Sequence, residues 1–453
     1  MNRTLIFFLT WFSLTGLQAQ IRISGRILDV ETKEPLAFAQ IRALNSQLGT
    51  ISNEDGYYTL SLRNTRNDTF AVSHIGYEYF RIPISQISTP DQFDVLLSER
   101  IVELDEVVIV PVEAEDLIKQ ALESIEDNYS HKPMNMQGFY RELISQNDTF
   151  IEFNEAIVDI YKLPNGVEKT TGNQIRLVKG RSLSEENKYE NLQLNMGGGG
   201  PNAVVSSPVV GETIGEHFLD KKAMKSYEFT LDGVTSYNDR DVYIISFDQD
   251  KKLRQKLYQG TIYLDVKTLA FVSINFKLSE RGKKFRLGKV IGMKGRMAMA
   301  LVKAFGFDFD YSEETGRQDF VYHRGQWYLN YHRHDVHGII YIPEKAYGGY
   351  EDGSFQMSTG SNKEDKKSKE KEKGKEKEKH AIRITALYEM AITQMEPDRA
   401  EKFPSSEQLD KNKTLPEQAG EYDEAFWENY NFVKPTDSLE KIADDMKGRS
   451  KSE

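Results

Sequence analysis

Between Ile21 and Leu97 the chain alternates apolar and polar residues in short runs, and each run ends in turn-forming residues. Ile21-Arg22-Ile23-Ser24-Gly25-Arg26-Ile27 has the two-residue period of a half-buried strand. Asp29–Pro35 reads as a turn, and Ala37, Ala39, Ile41 and Ala43 then alternate with Phe38, Gln40, Arg42 and Leu44. In GTISNEDGYYTL, residues 49–60, Asn53 and Asp55 can bond their own backbone and Gly56 permits positive φ. Tyr58, Leu60 and Leu62 then share a face. Asp68–His74 and Gly76–Ile84 pair around Ile75-Gly76-Tyr77, and Asp94–Leu97 and Glu106–Val110 complete the set. Runs this short cannot bury an apolar face alone, so they predict a small β-sandwich.

The stretch from about residue 21 to 110 resembles the carboxypeptidase-regulatory-like domain, a prealbumin-like sandwich. Gly25, Asp29, Pro35, Ala39, Gly49-Thr50, Gly56-Tyr57-Tyr58, Ser73, Gly76-Tyr77 and Leu104-Asp105-Glu106-Val107-Val108 carry the match. Asn53 stands where the family often has Asp, which keeps the turn chemistry. The resemblance implies an accessory domain of cell-envelope proteins, such as those preceding outer-membrane transporter barrels. It does not imply peptidase chemistry: a catalytic zinc needs His and acid ligands around an open position, and neither HxxE nor HExxH occurs.

The rest of the chain predicts an α+β body. Val112–Tyr129 has one apolar helical face. Phe139–Ser145, Phe150–Tyr161, Tyr227–Leu231, Asp241–Asp248, Leu257–Leu264, Ala270–Ser279 and Ala381–Met395 read as strands. Phe320–His323 and Gln326–Val336 form a hairpin about Arg324-Gly325, with Trp327 and Tyr331 expected on one face. The run from Gly260 to Val272 resembles the strand-turn-strand of periplasmic lipoprotein-carrier half-barrels, which implies a curved antiparallel sheet with an apolar concave face. The fold class is therefore mainly β with α+β character, a β-sandwich followed by a curved antiparallel sheet with helices. Phe426, Trp427, Tyr430 and Phe432 are expected to anchor the tail on the body, and Asp437 with Glu440 suits the capping box of a final helix.

The first 19 residues, with Arg3 followed by an apolar run from Leu5 to about Leu14 and then Leu17-Gln18-Ala19, read as a signal peptide. Cleavage after Ala19 moves the formal charge from −11 to −12, which excludes wholesale nucleic-acid binding. The absence of cysteine excludes disulfides, thiolate metal sites and a cysteine nucleophile. The predicted division is a signal peptide over 1–19, the sandwich over 20–111, the body over 112–435 with a charged insertion at 361–380, and a helix or tail over 436–453. No transmembrane helix is expected in the mature chain.

Candidate chemistry is sparse. His332, His334 and His337 are the metal candidates, since histidines at i and i+2 on a strand share a face. A hairpin turn at Arg324-Gly325 puts His323 roughly 20 Å along the strand from His332, too far to share an ion. His337 joins the pair only if the strand ends near Val336. Arg281–Phe307 mixes basic and apolar residues, and Lys283, Lys284, Arg286, Lys289, Lys294 and Arg296 are candidates for contact with a membrane or for a lid over the sheet. Gly197–Gly200 lacks the GK[ST] of a phosphate loop, Lys363–Lys379 is a solvated charge run, and no GxSxG is present. These features predict an exported, periplasmic or outer-membrane-associated protein that is not an enzyme and uses no cofactor. Two functions fit: an interaction or scaffold module acting through the sandwich on an envelope protein partner, or a carrier or binder of an apolar ligand such as a lipid or lipoprotein acyl chain.

Overall fold

A computed structural model describes residues 20–63, 67–100, 113–164, 172–184, 219, 223–283, 308–343 and 379–410, and parts of the segment from 413 to 442. The expected signal peptide, the Glu106–Val110 strand, the glycine run at 197–200, Lys363–Glu378 of the charged insertion and the Asp437/Glu440 cap lie outside these residues.

The sandwich uses β1 (Gln20–Asp29), β2 (Gln40–Ala43), β3 (Leu48–Ile51), β4 (Tyr57–Arg63), β5 (Thr69–Ser73), β6 (Phe80–Pro83) and β7 (Val95–Leu97). One sheet has the order β4-β1-β7 and the other β3-β2-β5-β6. Ile23, Ile27, Ile41, Tyr58, Leu60, Phe70 and Val72 are fully buried between them. The 53–56 turn works as its residues predict: the Asn53 side-chain oxygen accepts from the Asp55 and Tyr57 amides, and Gly56 takes φ 77°. A Cβ on Gly56 would meet the Ile27 carbonyl at 2.6 Å, so a side chain is excluded there on two counts.

The body is a curved antiparallel half-barrel. Its strands are β8 (Met134–Gln146), β9 (Thr149–Lys162), β10 (Gln174–Ser184), β11 (Tyr227–Tyr237), β12 (Arg240–Gln249), β13 (Tyr258–Asp265), β14 (Phe271–Leu278), β15 (Asp308–His323), β16 (Gln326–Pro343) and β17 (Lys379–Glu396). The order is β11-β12-β13-β14-β15-β16-β17-β8-β9-β10, so the late strand β17 closes the gap between β16 and the early strand β8. The sandwich sheet joins at one point, where Gln394 of β17 pairs with Leu48 of β3.

Three expectations need correction. The Val112–Tyr129 helix is two pieces, α1 (Ala114–Glu123) and α2 (Ile125–Asn128). The break is at Ser124, whose hydroxyl bonds back to the Gln120 carbonyl at 2.8 Å and competes with the helix. The expected apolar face holds: Leu117, Ile118 and Ala121 are buried in the cluster of Ile245, Ile262 and Ile274. The strand begun at Tyr227 does not stop at Leu231; a register shift between Leu231 and Gly233 carries β11 on to Tyr237. Trp327 and Tyr331 do not share a cluster. The shift at Asp319/Phe320 inserts Asn330 between them, so Trp327 packs with α1 while Tyr331 packs against the C-terminal tail.

Candidate functional site

Strand register sorts the middle of the half-barrel into two contrasting faces. On the face toward the sandwich, one row crosses six strands through Arg317, Arg333, Glu389, Arg141, Glu155 and Arg181. Arg141 donates to Glu155 at 2.8 Å and to Glu389 at 2.9 Å, and Arg181 donates to the other oxygen of Glu155 at 2.5 Å. Asp319 and Asp335 each stand 2.7 Å from Arg317 and Arg333 respectively. Each buried charge thus has an opposite neighbour, which is the condition for tolerating it inside a protein. The Tyr331 hydroxyl donates to Glu389 at 2.5 Å, and burial pushes that phenol well above its usual range.

The sandwich and the tail cover this row. Phe38 stacks on Tyr331 at 5.6 Å and Glu54 pairs with Arg333 at 2.6 Å. Arg42 donates to Asn330 at 2.9 Å. Between the two units Phe38, Gln40, His74, Tyr237, Arg317 and Asp319 line a cavity of about 10 Å³, room for a single water. From the tail, Trp427 lies on the Arg181 guanidinium at 4.3 Å, the Val433 carbonyl accepts from Arg141 at 2.6 Å, and Asn431 bonds both the amide and the carbonyl of Ser61. The aromatic anchors expected near the C-terminus therefore pack as the sequence suggests, in one cluster with Phe139, Ile157 and Tyr331. This face is a structural joint with its charges satisfied.

The opposite face, here the far face, has a different composition. Three rows run from β15 to β9: Gln318, His332, Met390, Tyr140, Ala156; then Gly316, His334, Tyr388, Glu142, Asn154; then Glu314, Val336, Ala386, Ile144, Glu152. Apolar side chains surround them, with Ile274 and Phe276 on β14, Ile340 on β16, Ile382 and Ile384 on β17 and Val158 and Ile160 on β9. Glu314 accepts from Tyr258 at 2.9 Å and contacts His334 at 3.0 Å, and Phe276 stands 6.0 Å from the His334 ring. Asn154 donates to Glu152 at 2.5 Å and accepts from Ser182 at 2.7 Å. Burial, aided by Glu152, raises Glu142 to about 7. Burial, aided by His334, lowers His332 to about 3, so its ring is neutral. The Tyr140 hydroxyl and the Gln318 side-chain oxygen are buried with no hydrogen-bond partner.

The sequence candidates separate here. His332 and His334 share the far face, as the two-residue period requires, but β16 runs on to Pro343 and turns His337 to the other side. Among the described residues no three metal-ligating side chains gather. Lys283 pairs with Glu280 at 2.6 Å in the turn that follows β14, while Lys284, Arg286, Lys289, Lys294 and Arg296 lie outside the described residues. Sequence reasoning missed Glu142, Tyr140 and Gln318. Their alternation was visible, but nothing local says that β17 brings β8 beside β16.

No curated protein matches the chain. Among solved structures, a LolA-superfamily protein from Nitrosomonas europaea aligns over 64% of this chain and 98% of its own, at 10% identity and a TM-score of 0.18. An outer-membrane lipoprotein-sorting protein domain from Vibrio parahaemolyticus aligns over 62% and 92%, at 9% identity and a TM-score of 0.22. MucB, solved in complex with MucA(peri), aligns over 64% and 100%, at 11% identity and a TM-score of 0.19. At the N-terminus the likeness rests on sequence: residues 23–109 match the family model of the CarboxypepD_reg-like domain.

Proposed function

We propose that the protein is an exported, non-enzymatic binder or carrier of an apolar ligand in the cell envelope, with the far face of the half-barrel as its binding surface. One observation carries the reading: beyond the part covered by α1, the far face is apolar apart from a narrow polar strip that is buried at Tyr140, Met390 and Ala386 and half-buried at Glu142, Ile144 and Glu152, the composition of a ligand site whose few polar groups set orientation. The sandwich is the fixed support. Phe38, Arg42 and Glu54 are committed to the body, and this inward commitment argues against the sandwich as the main docking surface for a protein partner.

The test is native mass spectrometry on chain 20–453 purified gently from the envelope, with Met390→Asp as the comparison. Added mass of lipid size on the parent, lost in a variant of unchanged circular dichroism, supports the reading. A bare parent that takes up no lipid monomer on incubation overturns it.

A further inference from the structure

The polar strip of the far face is short of donors. Glu142 and Glu152 are diagonal neighbours on β8 and β9, and Asn154, opposite Glu142, shares its amide between the two carboxyls and gives its carbonyl to Ser182. The independent sign of a guest is Tyr140, two residues from Glu142 on the same face. Its ring is fully buried, its hydroxyl has no partner, and its electrostatic neighbours are Glu142, Tyr388 and Glu152. The Gln318 side-chain oxygen, one strand beyond His332, is a further buried acceptor with no partner. The three rows from β15 to β9 contain no Lys or Arg; Arg317, Arg333 and Arg141 lie in the row on the opposite face, and the far-face Lys162 stands at the distant end of β9, opposite Met134. A buried polar group without a partner is costly, and two neighbouring carboxylates in a half-buried strip more so unless a proton or a cation joins them.

We infer that the Glu142–Glu152–Tyr140 strip receives the head of the ligand, and that the head is a hydrogen-bond-donating cation: a primary ammonium on an acyl or alkyl chain. This deepens the proposed function and rests on it. The groups facing Glu142 are Glu152 and Asn154 from β9, Tyr388 from β17 and Tyr140 and Ile144 from its own strand, with Ser182 of β10 behind Asn154. All are acidic, neutral or apolar. An ammonium bound there favours the ionised carboxylates, so its affinity rises as Glu142 loses its proton. A carboxylate head meets only like charge.

The experiment is calorimetric titration of the 20–453 chain with dodecylamine, dodecanol and dodecanoate, each as monomer, at pH 6 and pH 8. The expected result is dodecylamine tighter than dodecanoate by about tenfold or more at pH 8, the scale of one charge-assisted hydrogen bond. Its affinity should rise from pH 6 to pH 8 in the parent and stay flat in Glu142→Gln, which keeps the shape and a polar amide. Lysophosphatidylethanolamine against lysophosphatidylglycerol repeats the comparison on membrane lipids and separates an aminophospholipid from a simple amine. Equal binding of all three dodecyl compounds overturns the head-group assignment and leaves the apolar-binder reading standing. Dodecanoate tightest also overturns the assignment. Binding of none overturns both.

Discussion

Arg141 and Glu389 lie 248 positions apart in the chain and 2.9 Å apart in the fold, side by side on β8 and β17. Arg141 also holds Glu155 and the Val433 carbonyl, so it ties three parts of the chain together. Arg141→Ala takes the cation from buried Glu389 and leaves Glu155 with Arg181 alone, and should cost about 3–5 kcal/mol in urea unfolding. A loss under about 1 kcal/mol would mean that solvent reaches this row.

Trp427 covers Arg181 and packs with Phe432 at 6.4 Å between ring centres. Trp427→Ala should cost about 3–5 kcal/mol, mainly from lost packing. Hydrogen exchange should speed up at Val433 and also at Thr50, whose hydroxyl bonds the Phe432 carbonyl. Faster exchange at the tail alone would show that the tail does not brace the sandwich.

Glu142 sets a rising-pH penalty. Its folded value of about 7 lies above the unfolded value near 4.5, so its neutral form is favoured by folding. That contribution is complete below about 4.5 and is lost as pH rises through about 7. Glu142→Gln should therefore melt close to the parent at pH 4.5 and above it at pH 8. A gap that shrinks toward pH 8 would contradict the burial of this carboxyl.

His332 works in the opposite direction. Its folded value of about 3 lies below the unfolded 6.5, so its contribution is present above 6.5 and is lost as pH falls toward 3. His74, lowered to about 4 by burial and then by Arg317, titrates in the same sense. His332→Met should flatten, without abolishing, the decline in stability between pH 6.5 and 4. An unchanged slope would assign the acid limb to other groups.

Two glycines test how closely the far face is packed. A Cβ on Gly260 would meet the Asn275 carbonyl at 2.0 Å, whereas one on Gly316 would meet the movable edge of the Phe276 ring at 2.0 Å. Gly260→Ala should be the more damaging, since backbone cannot step aside. Gly316→Ala should cost about 1–3 kcal/mol and displace Phe276 from beside His334. The order of the two melting temperatures decides the matter.

Much of the architecture was legible because its signals are local. The Asn53–Gly56 turn, the strand period of the sandwich and the Arg324-Gly325 hairpin each depend on residues a few positions apart. The tail aromatics were legible too, since four large rings so close together need a partner surface. The parts that failed depend on geometry the residue pattern does not carry. Ser124 breaks a helix whose apolar face is continuous, and the extra residue at Asn330 undoes the alternation that would place Trp327 with Tyr331.

Local residue pattern was enough to place most strands, their turns and, away from bulges such as Asn330, the side chains that share a face, because φ/ψ preference and the two-residue period are properties of short stretches. The insertion of β17 between β16 and β8 came from long-range packing alone. That single pairing assembles the Arg141–Glu389 row on one face and the Glu142–Tyr140–His332 strip on the other. Strand order is set by how well whole faces bury against one another, and that free energy belongs to residues hundreds of positions apart, so no local pattern could announce it.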